Sequence, residues 1–474
     1  MTQLASYAGD ARRPRISAGF VLLVSSLTAI GPLTIDLYLA AFPQITNELR
    51  TTPANVQLTI TATLAGLALG QLLLGSVSDA FGRRPPLIAA LALYVVVSMA
   101  IVATPSVEML TVLRFLQGFS AAAGMVVSMA IVRDRYSGVA MGKVIARLML
   151  IVGVAPILAP TLGAQLLLIG SWRMMFAVLA GFGALLLALV LFVLPESLPV
   201  ERRRVGGIGS ALRSYRGLLS DRPFMGLALL SGFYIAALFT YVASSTFVFQ
   251  DGFDLSAQEF GLVFGAGSLA ITIGSQVNGA LVGRVTPERM LTVAVWSGVV
   301  LSAGLVVVAL GGGGLWALVA LLVPTLGTAG FVFPSVPAIA LEANAHRAGS
   351  AAALLGSVQF GIGAAIAPLT GLFGQTALSM AGVMFSVIVV AAVLLTAVSR
   401  TWRRSAAETA AVDRALGDGP PEPVGAAVLG RTAEPVGAAV LGRTAEPVGA
   451  AERLDAAEPV GAAERVDASV GGRV

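Results

Sequence analysis

Twelve runs of apolar residues, each 18 or more residues long, leave this chain little choice of fold. They cover roughly 16–42, 54–78, 86–104, 107–132, 142–169, 173–194, 223–249, 258–282, 290–311, 314–341, 348–375 and 378–399. At ~1.5 Å per residue each crosses a hydrocarbon core of ~30 Å, some of them tilted. Backbone groups in lipid must be satisfied within the segment, so the runs are predicted to be helices. The chain is 57% hydrophobic and 12% charged, against about 25% charged in soluble domains.

The same counts exclude several functions. The net charge of +5 is spread between apolar runs, which is a topology signal and no nucleic-acid footprint. There is no cysteine for a disulfide or thiol chemistry, and the single histidine, His346, cannot build a histidine metal cluster. No nucleophile–base set and no GxxxxGK[ST] is present, so neither an enzyme nor a cofactor or metal is expected. The run after Met1–Arg15 is too long for a signal-peptide core and has no clear cleavage site, so it reads as a retained helix.

Lys and Arg set the expected orientation. Calling the N-terminal side "in", the inside connections hold Arg12, Arg13, Arg15, Arg83, Arg84, Arg133, Arg135, Lys143, Arg147, Arg284, Arg289, Arg347 and six arginines of the linker; the outside ones hold only Arg50 and Arg173. Both termini are thus expected in the cytoplasm of a cell with this protein in its inner membrane. The expected domains are an N-terminal segment 1–15, a six-helix bundle 16–194, a basic linker 195–222, a second bundle 223–399 and a disordered tail 400–474. Gly70-Gln-Leu-Leu-Leu-Gly75-Ser-Val-Ser-Asp79 in span 2 has a faint echo in Gly274-Ser-Gln-Val-Asn-Gly279-Ala-Leu-Val-Gly283, six spans later, as in transporters built from duplicated halves. Within the tail, 422–469 holds four copies of a twelve-residue unit beginning Glu-Pro-Val-Gly-Ala-Ala, rich in Pro and Gly with little to bury, and is predicted to be disordered.

Two ionisable residues stand deep in apolar surroundings: Asp36 and Arg114. An intramembrane charge costs roughly 2.5–3.5 kcal/mol on insertion scales and marks a functional site with a partner. Each lies about seven residues, roughly 10 Å, from the outer boundary, so the two are expected to share a cavity and bias each other's protonation. Between spans 2 and 3, Gly75, Asp79, Gly82, Arg83 and Arg84 form a compact pattern. Here Asp79 can accept from the N-terminus of a neighbouring helix and Arg83 can pair with Asp134, contacts expected to form in one transport state and break in the other.

That loop resembles the loop 2–3 signature of the major facilitator superfamily. Asp36-Leu-Tyr-Leu-Ala-Ala-Phe-Pro-Gln-Ile resembles the end of helix 1 in bacterial drug/proton antiporters. Leu113-Arg114-Phe-Leu-Gln117-Gly118 resembles their helix 4, and Gly153-Val-Ala-Pro156-Ile-Leu-Ala-Pro160-Thr-Leu-Gly163 their antiporter motif in helix 5. Together these resemble the bicyclomycin/chloramphenicol-resistance branch over about residues 16–400. The chain departs from that pattern at Ala155 and Ala164, where many exporters have Gly; at Thr28, where some relatives have a second acid; and at Gly283, which replaces the acid in the second-half copy of the loop.

The resemblance implies an all-α integral membrane protein of twelve transmembrane helices in two pseudo-symmetric six-helix bundles, a monomer that exchanges protons for a small amphiphilic drug, phenicols first. Asp36 would then exchange the proton beside a charged Arg114. Gly153, Pro156, Pro160 and Gly163 would kink helix 5 and pack it at the seam of the halves. Tyr38, Gln57, Tyr234, Phe239 and Phe331 are candidate cavity residues. The rival readings are a metabolite transporter of the same fold and a non-transporting receptor that uses its repeat tail.

Overall fold

A computed structural model describes residues 17–203 and 207–416. The segment 1–15 and the repeats of 422–469 lie outside the described residues. So does the side chain of His346. Residues up to Thr409 belong to one compact unit.

Among the described residues twelve helices are long and apolar enough to cross a membrane: α1 Ala18–Glu48, α2 Pro53–Phe81, α3 Arg84–Val102, α4 Val107–Arg135, α5 Ala140–Ile169, α6 Trp172–Phe192, α7 Arg222–Asp251, α8 Ala257–Leu281, α9 Pro287–Leu310, α10 Leu315–Glu342, α11 Ala348–Leu372 and α12 Ala377–Arg400. The shortest, 19 residues, is about 28 Å long. Large apolar side chains such as Val96, Phe192, Val293 and Trp316 are more than half exposed. An apolar exterior of that extent suits lipid and not water. The chain is therefore a multi-pass membrane protein of the expected all-α class.

Successive helices alternate in direction and leave two faces. At one face Arg83 of the 2–3 loop meets Asp134 at the end of α4, and Glu196 after α6. At the other, Arg173 in the first turn of α6 pairs with Glu48 at the end of α1 and donates to Thr104 O at 3.1 Å in the 3–4 loop. These are called the Arg83 and Gln57 faces below.

Glycine makes the closest seams. A Cβ at Gly66 would fall 2.1 Å from Phe115 O, and one at Gly118 2.1 Å from Thr63 O, so α2 and α4 touch backbone to backbone. The second half repeats the device: a Cβ at Gly274 would lie 2.4 Å from Gly327 O, and one at Gly330 2.2 Å from Ile271 O. In lipid, where apolar burial gives no drive between helices, such close approach holds a bundle together.

Four stretches differ from expectation. α1 is not one rod: its α-helix ends at Asp36 and continues as a 3₁₀ turn, Leu39–Ala41, and a second helix, Phe42–Glu48. Pro43 has no N–H to continue the ladder, and it sits in the first turn of the new helix, where none is needed. α7 closes in a π-turn, Phe247–Asp251. The basic linker contains a helix, Gly207–Leu219, whose Tyr215 hydroxyl donates to Leu72 O of α2 at 3.1 Å. The last helix runs on to Leu416, so the start of the tail expected to be disordered is helical. Alanine with Arg and Glu over 402–416 explains it, since these are strong helix formers.

Candidate functional site: a cavity between the two bundles

α1, α2, α4 and α5 of the first half and α7, α8, α10 and α11 of the second enclose a cavity of about 250 Å³. Its walls are almost wholly apolar, with Ile35, Leu67, Met125, Phe239, Phe264 and Phe333 among them. Asp36 enters it from α1 and is 6% exposed. Neither a hydrogen bond nor an ion pair to its carboxylate is found among the described residues. Pro32, also lining, removes a backbone donor one turn earlier and leaves the carbonyl of Thr28 without its helical partner.

Arg114 does not join it. The guanidinium is fully buried inside the first bundle, stacked 4.2 Å over the ring of Tyr38 and 5.6 Å from that of Phe176. Its Nη1 donates to Gln117 Oε1 at 2.6 Å, and Gln117 donates on to Ser98 Oγ at 2.8 Å. Nε and Nη2 have no partner. The desolvated cation–π contact, worth about 2 kcal/mol, offsets part of that deficit. Depth arithmetic placed the two charges at one level. The structure separates them by side, because the chain leaves α-helical geometry at Asp36 and turns Tyr38 toward Arg114.

Of the other expected cavity residues only Phe239 lines this cavity. Tyr38 is covered by Arg114, and its hydroxyl meets Thr59 Oγ1 at 2.8 Å. Gln57 is a clamp at the face named for it: its Nε2 donates to Ala243 O at 2.9 Å and to Gln375 Oε1 at 2.7 Å, both in the second half. Tyr234 is buried inside the second bundle against Thr328. Phe331 lines a separate groove of about 520 Å³ along α8, α9 and α10. Helical spacing alone does not show which side of a helix faces a partner bundle, so aromatic content was a poor guide.

Of the expected helix 5 residues, Gly153 and Pro156 lie at the seam between the halves, whereas Gly163 packs on α1 of its own half. Gly153 O accepts from Thr272 Oγ1 of α8 at 3.2 Å, and Gly153 and Pro156 line the cavity. A Cβ at Gly163 would come 1.9 Å from Leu37 O of α1. The helix passes through Pro156 and Pro160 without a break. Ala164, one of the departures, is fully buried, and its carbonyl accepts from Gln258 of α8 at 3.2 Å.

Apart from the Thr272–Gly153 bond at the cavity wall, the bonds between the halves gather at one end. Thr246 donates to Leu39 O at 3.1 Å and Gln250 to Ala40 O at 3.2 Å, beside the Gln57 clamp and the Gln258 contact. At the Arg83 face, no hydrogen bond or ion pair joins the two six-helix bundles directly among the described residues. The two halves are thus bonded to each other on the Gln57 side of the cavity.

The loop 2–3 pattern closes within the first half. Arg83 Nε donates to Asp134 Oδ2 at 2.9 Å, and its Nη1 pairs with Asp79. Among the described residues Asp79 therefore bonds its own arginine and not the N-terminus of a neighbouring helix, the partner expected from the sequence. Burial alone would lower the Arg83 pKa, but bonds to the two acids and their charges raise it overall. Gly75 packs on α4, 3.1 Å from Val126 for a notional Cβ, and Gly82 turns the chain at φ +96°. Arg84 donates to the last carbonyls of α6, at Val190 and Leu191. Sequence reasoning missed Glu196. Its carboxylate takes the N–H groups of Arg83 at 2.9 Å and Arg84 at 3.0 Å, capping α3. An acid just past a span, near a Gly-Arg-Arg turn, was the available signal.

The sequence profile of the Major Facilitator Superfamily matches residues 22–368. An uncharacterized MFS-type transporter, YdgK of Bacillus subtilis, is 40% identical over 380 residues, covering 80% of this chain and 94% of that protein. A bicyclomycin resistance protein homolog of Haemophilus influenzae is 30% identical over 74% of this chain and 88% of its own length. Among solved structures, a partially occluded, inward-open form of the xylose transporter XylE from E. coli superposes with a TM-score of 0.61 over 80% of this chain and 97% of that one. At 15% identity, that match speaks to fold alone.

Proposed function

The chain belongs to the major facilitator superfamily, a family of transporters and not of enzymes, and on that premise we propose that it is a proton-coupled exporter of small amphiphilic drugs. One observation carries the reading: a single unpaired carboxylate, Asp36, stands in an apolar cavity walled by both bundles. A group so placed exchanges a proton and a ligand competitively, because each relieves the cost of an unpaired buried charge. The relative associated with bicyclomycin resistance supports a drug as the ligand, and phenicols are the first candidates.

The positive-inside bias puts the Arg83 face in the cytoplasm and both termini with it, in the cell's inner membrane. On that orientation Gln57, Thr246 and Gln250 bond the two halves together on the outer side. The Arg83–Asp134 bond steadies the first half as a rigid body that rocks against the second. Arg114 holds the end of α1 through Tyr38 and acts on Asp36 by positioning the helix that bears it. The proton gradient suffices: at 100 mV one proton supplies ~2.3 kcal/mol, half a pH unit adds ~0.7, and about 3 kcal/mol sustains a drug gradient of roughly a hundredfold. The monomer holds the whole cavity.

Drug susceptibility in a pump-deficient host tests the reading. Wild type should protect against phenicols or bicyclomycin, and Asp36→Asn at equal expression should not. Protection by neither protein against any drug would move a metabolite transporter ahead.

A further inference from the structure

Tyr241 in α7 lines the central cavity and is 1% exposed, yet its hydroxyl has no hydrogen-bond partner among the described residues. The three other fully buried tyrosines all have one: Tyr38 with Thr59, Tyr94 with Thr34, and Tyr234 with Thr328. Buried hydroxyls are normally paired, since an unsatisfied one loses its hydration for nothing. The ring is held in place by stacking on Phe264, with centroids 5.2 Å apart and planes at 20°. Gly267 of α8 lies beside the hydroxyl, where a Cβ would come to 3.4 Å. Asp36 lines the same cavity from the opposite half. Thr272, another polar lining residue, is already engaged with Gly153 O and Ser268 O. The wall of the cavity thus carries an unpaired carboxylate from the first half and, from the second, a rigidly held phenol whose hydroxyl is unpaired among the described residues.

We propose that Tyr241 is a specificity-determining residue: its hydroxyl donates to a polar group of the transported molecule while Asp36 accepts from the same molecule. The group that fits both is a hydroxyl or an amide carried on an apolar body, able to donate to a carboxylate and accept from a phenol. A ligand bridged in this way ties the two bundles together and so reports occupancy to both. A permanent cation without hydrogen-bonding atoms meets Asp36 alone and is indifferent to Tyr241. The inference rests on the drug-export reading above and names the ligand chemistry of that same site.

The test is transport by the full-length protein in proteoliposomes, with chloramphenicol (hydroxyls and an amide) and tetraphenylphosphonium (neither) as probes. For Tyr241→Phe, which keeps the ring and its stacking, the chloramphenicol KM should rise about tenfold, the value of one neutral hydrogen bond. Vmax and the tetraphenylphosphonium KM should hold. Tyr241→Leu separates packing from hydrogen bonding: equal chloramphenicol KM values in the two variants assign the effect to the hydroxyl. An unchanged chloramphenicol KM in Tyr241→Phe, or an equal rise for both probes, overturns the proposal while export stands. Transport of the phosphonium but not of chloramphenicol by wild type also overturns it. If wild type carries neither probe, the export reading falls and this one with it.

Discussion

At the scale of single residues, a charge buried among aromatics is expensive, and its neighbours show how the cost is met. Arg114 keeps two unpartnered nitrogens but lies on the face of Tyr38. Tyr38→Phe removes only the bond to Thr59 and should cost about 1 kcal/mol. Tyr38→Ala uncovers the guanidinium as well and should cost roughly 3–5 kcal/mol; thermal unfolding in detergent measures both. Outside the spans, Glu196 gives a pH signature. Burial raises its pKa, but the N–H groups of Leu198, Arg83, Arg84 and Ser197 outweigh that and bring it below the usual glutamate value. A depressed folded-state pKa stabilises above the unfolded value of about 4.3 and fades as pH falls through the lower folded value. Glu196→Gln should therefore lower the melting temperature at pH 7, and the gap from wild type should close below about pH 4. A gap independent of pH would show that the charge of Glu196 is not what caps α3.

At the scale of helices, the seams predict where size matters. The carbonyl of Leu37 already occupies the place of a side chain at Gly163. Gly163→Val must push α5 from α1 at the turn after Asp36, costing about 1–3 kcal/mol. Transport should fall further than stability does, because the displaced element carries Asp36, the proposed proton site. Equal transport per folded molecule would disprove that link. Much at this scale was legible in sequence. Span limits fell within a few residues, because apolar runs and charged ends are strong local signals. The break after Asp36 was not legible: Tyr38 and Leu39 are as apolar as a continuing helix, and only Pro43 hinted at a change. The linker helix was hidden because its arginines read as topology. Side-chain direction was the largest loss. Asp36 and Arg114 were found by their rarity, but Tyr38, Gln57 and Tyr234 could not be assigned to a clamp or a core, since those roles depend on which bundle a helix side meets. Tyr241 resembled any other aromatic until its hydroxyl proved to be without a partner.

At the scale of the molecule, two bundles with separate glycine-packed interiors meet across one apolar cavity and are bonded together at one face. Such a body rocks rather than flexes, since packed interiors are bistable and not continuously deformable. The bonds at the Gln57 face must be exchanged for others when the cavity turns. The central claim is that the energy for this cycle enters at Asp36. The direct measurement is drug accumulation in proteoliposomes under an imposed pH gradient, for wild type and Asp36→Asn. Wild type should build a drug gradient approaching roughly a hundredfold when about 3 kcal/mol is supplied. Asp36→Asn should only equilibrate the drug, whatever the pH difference. Uphill accumulation by Asp36→Asn equal to that of wild type would contradict the account and place the proton elsewhere.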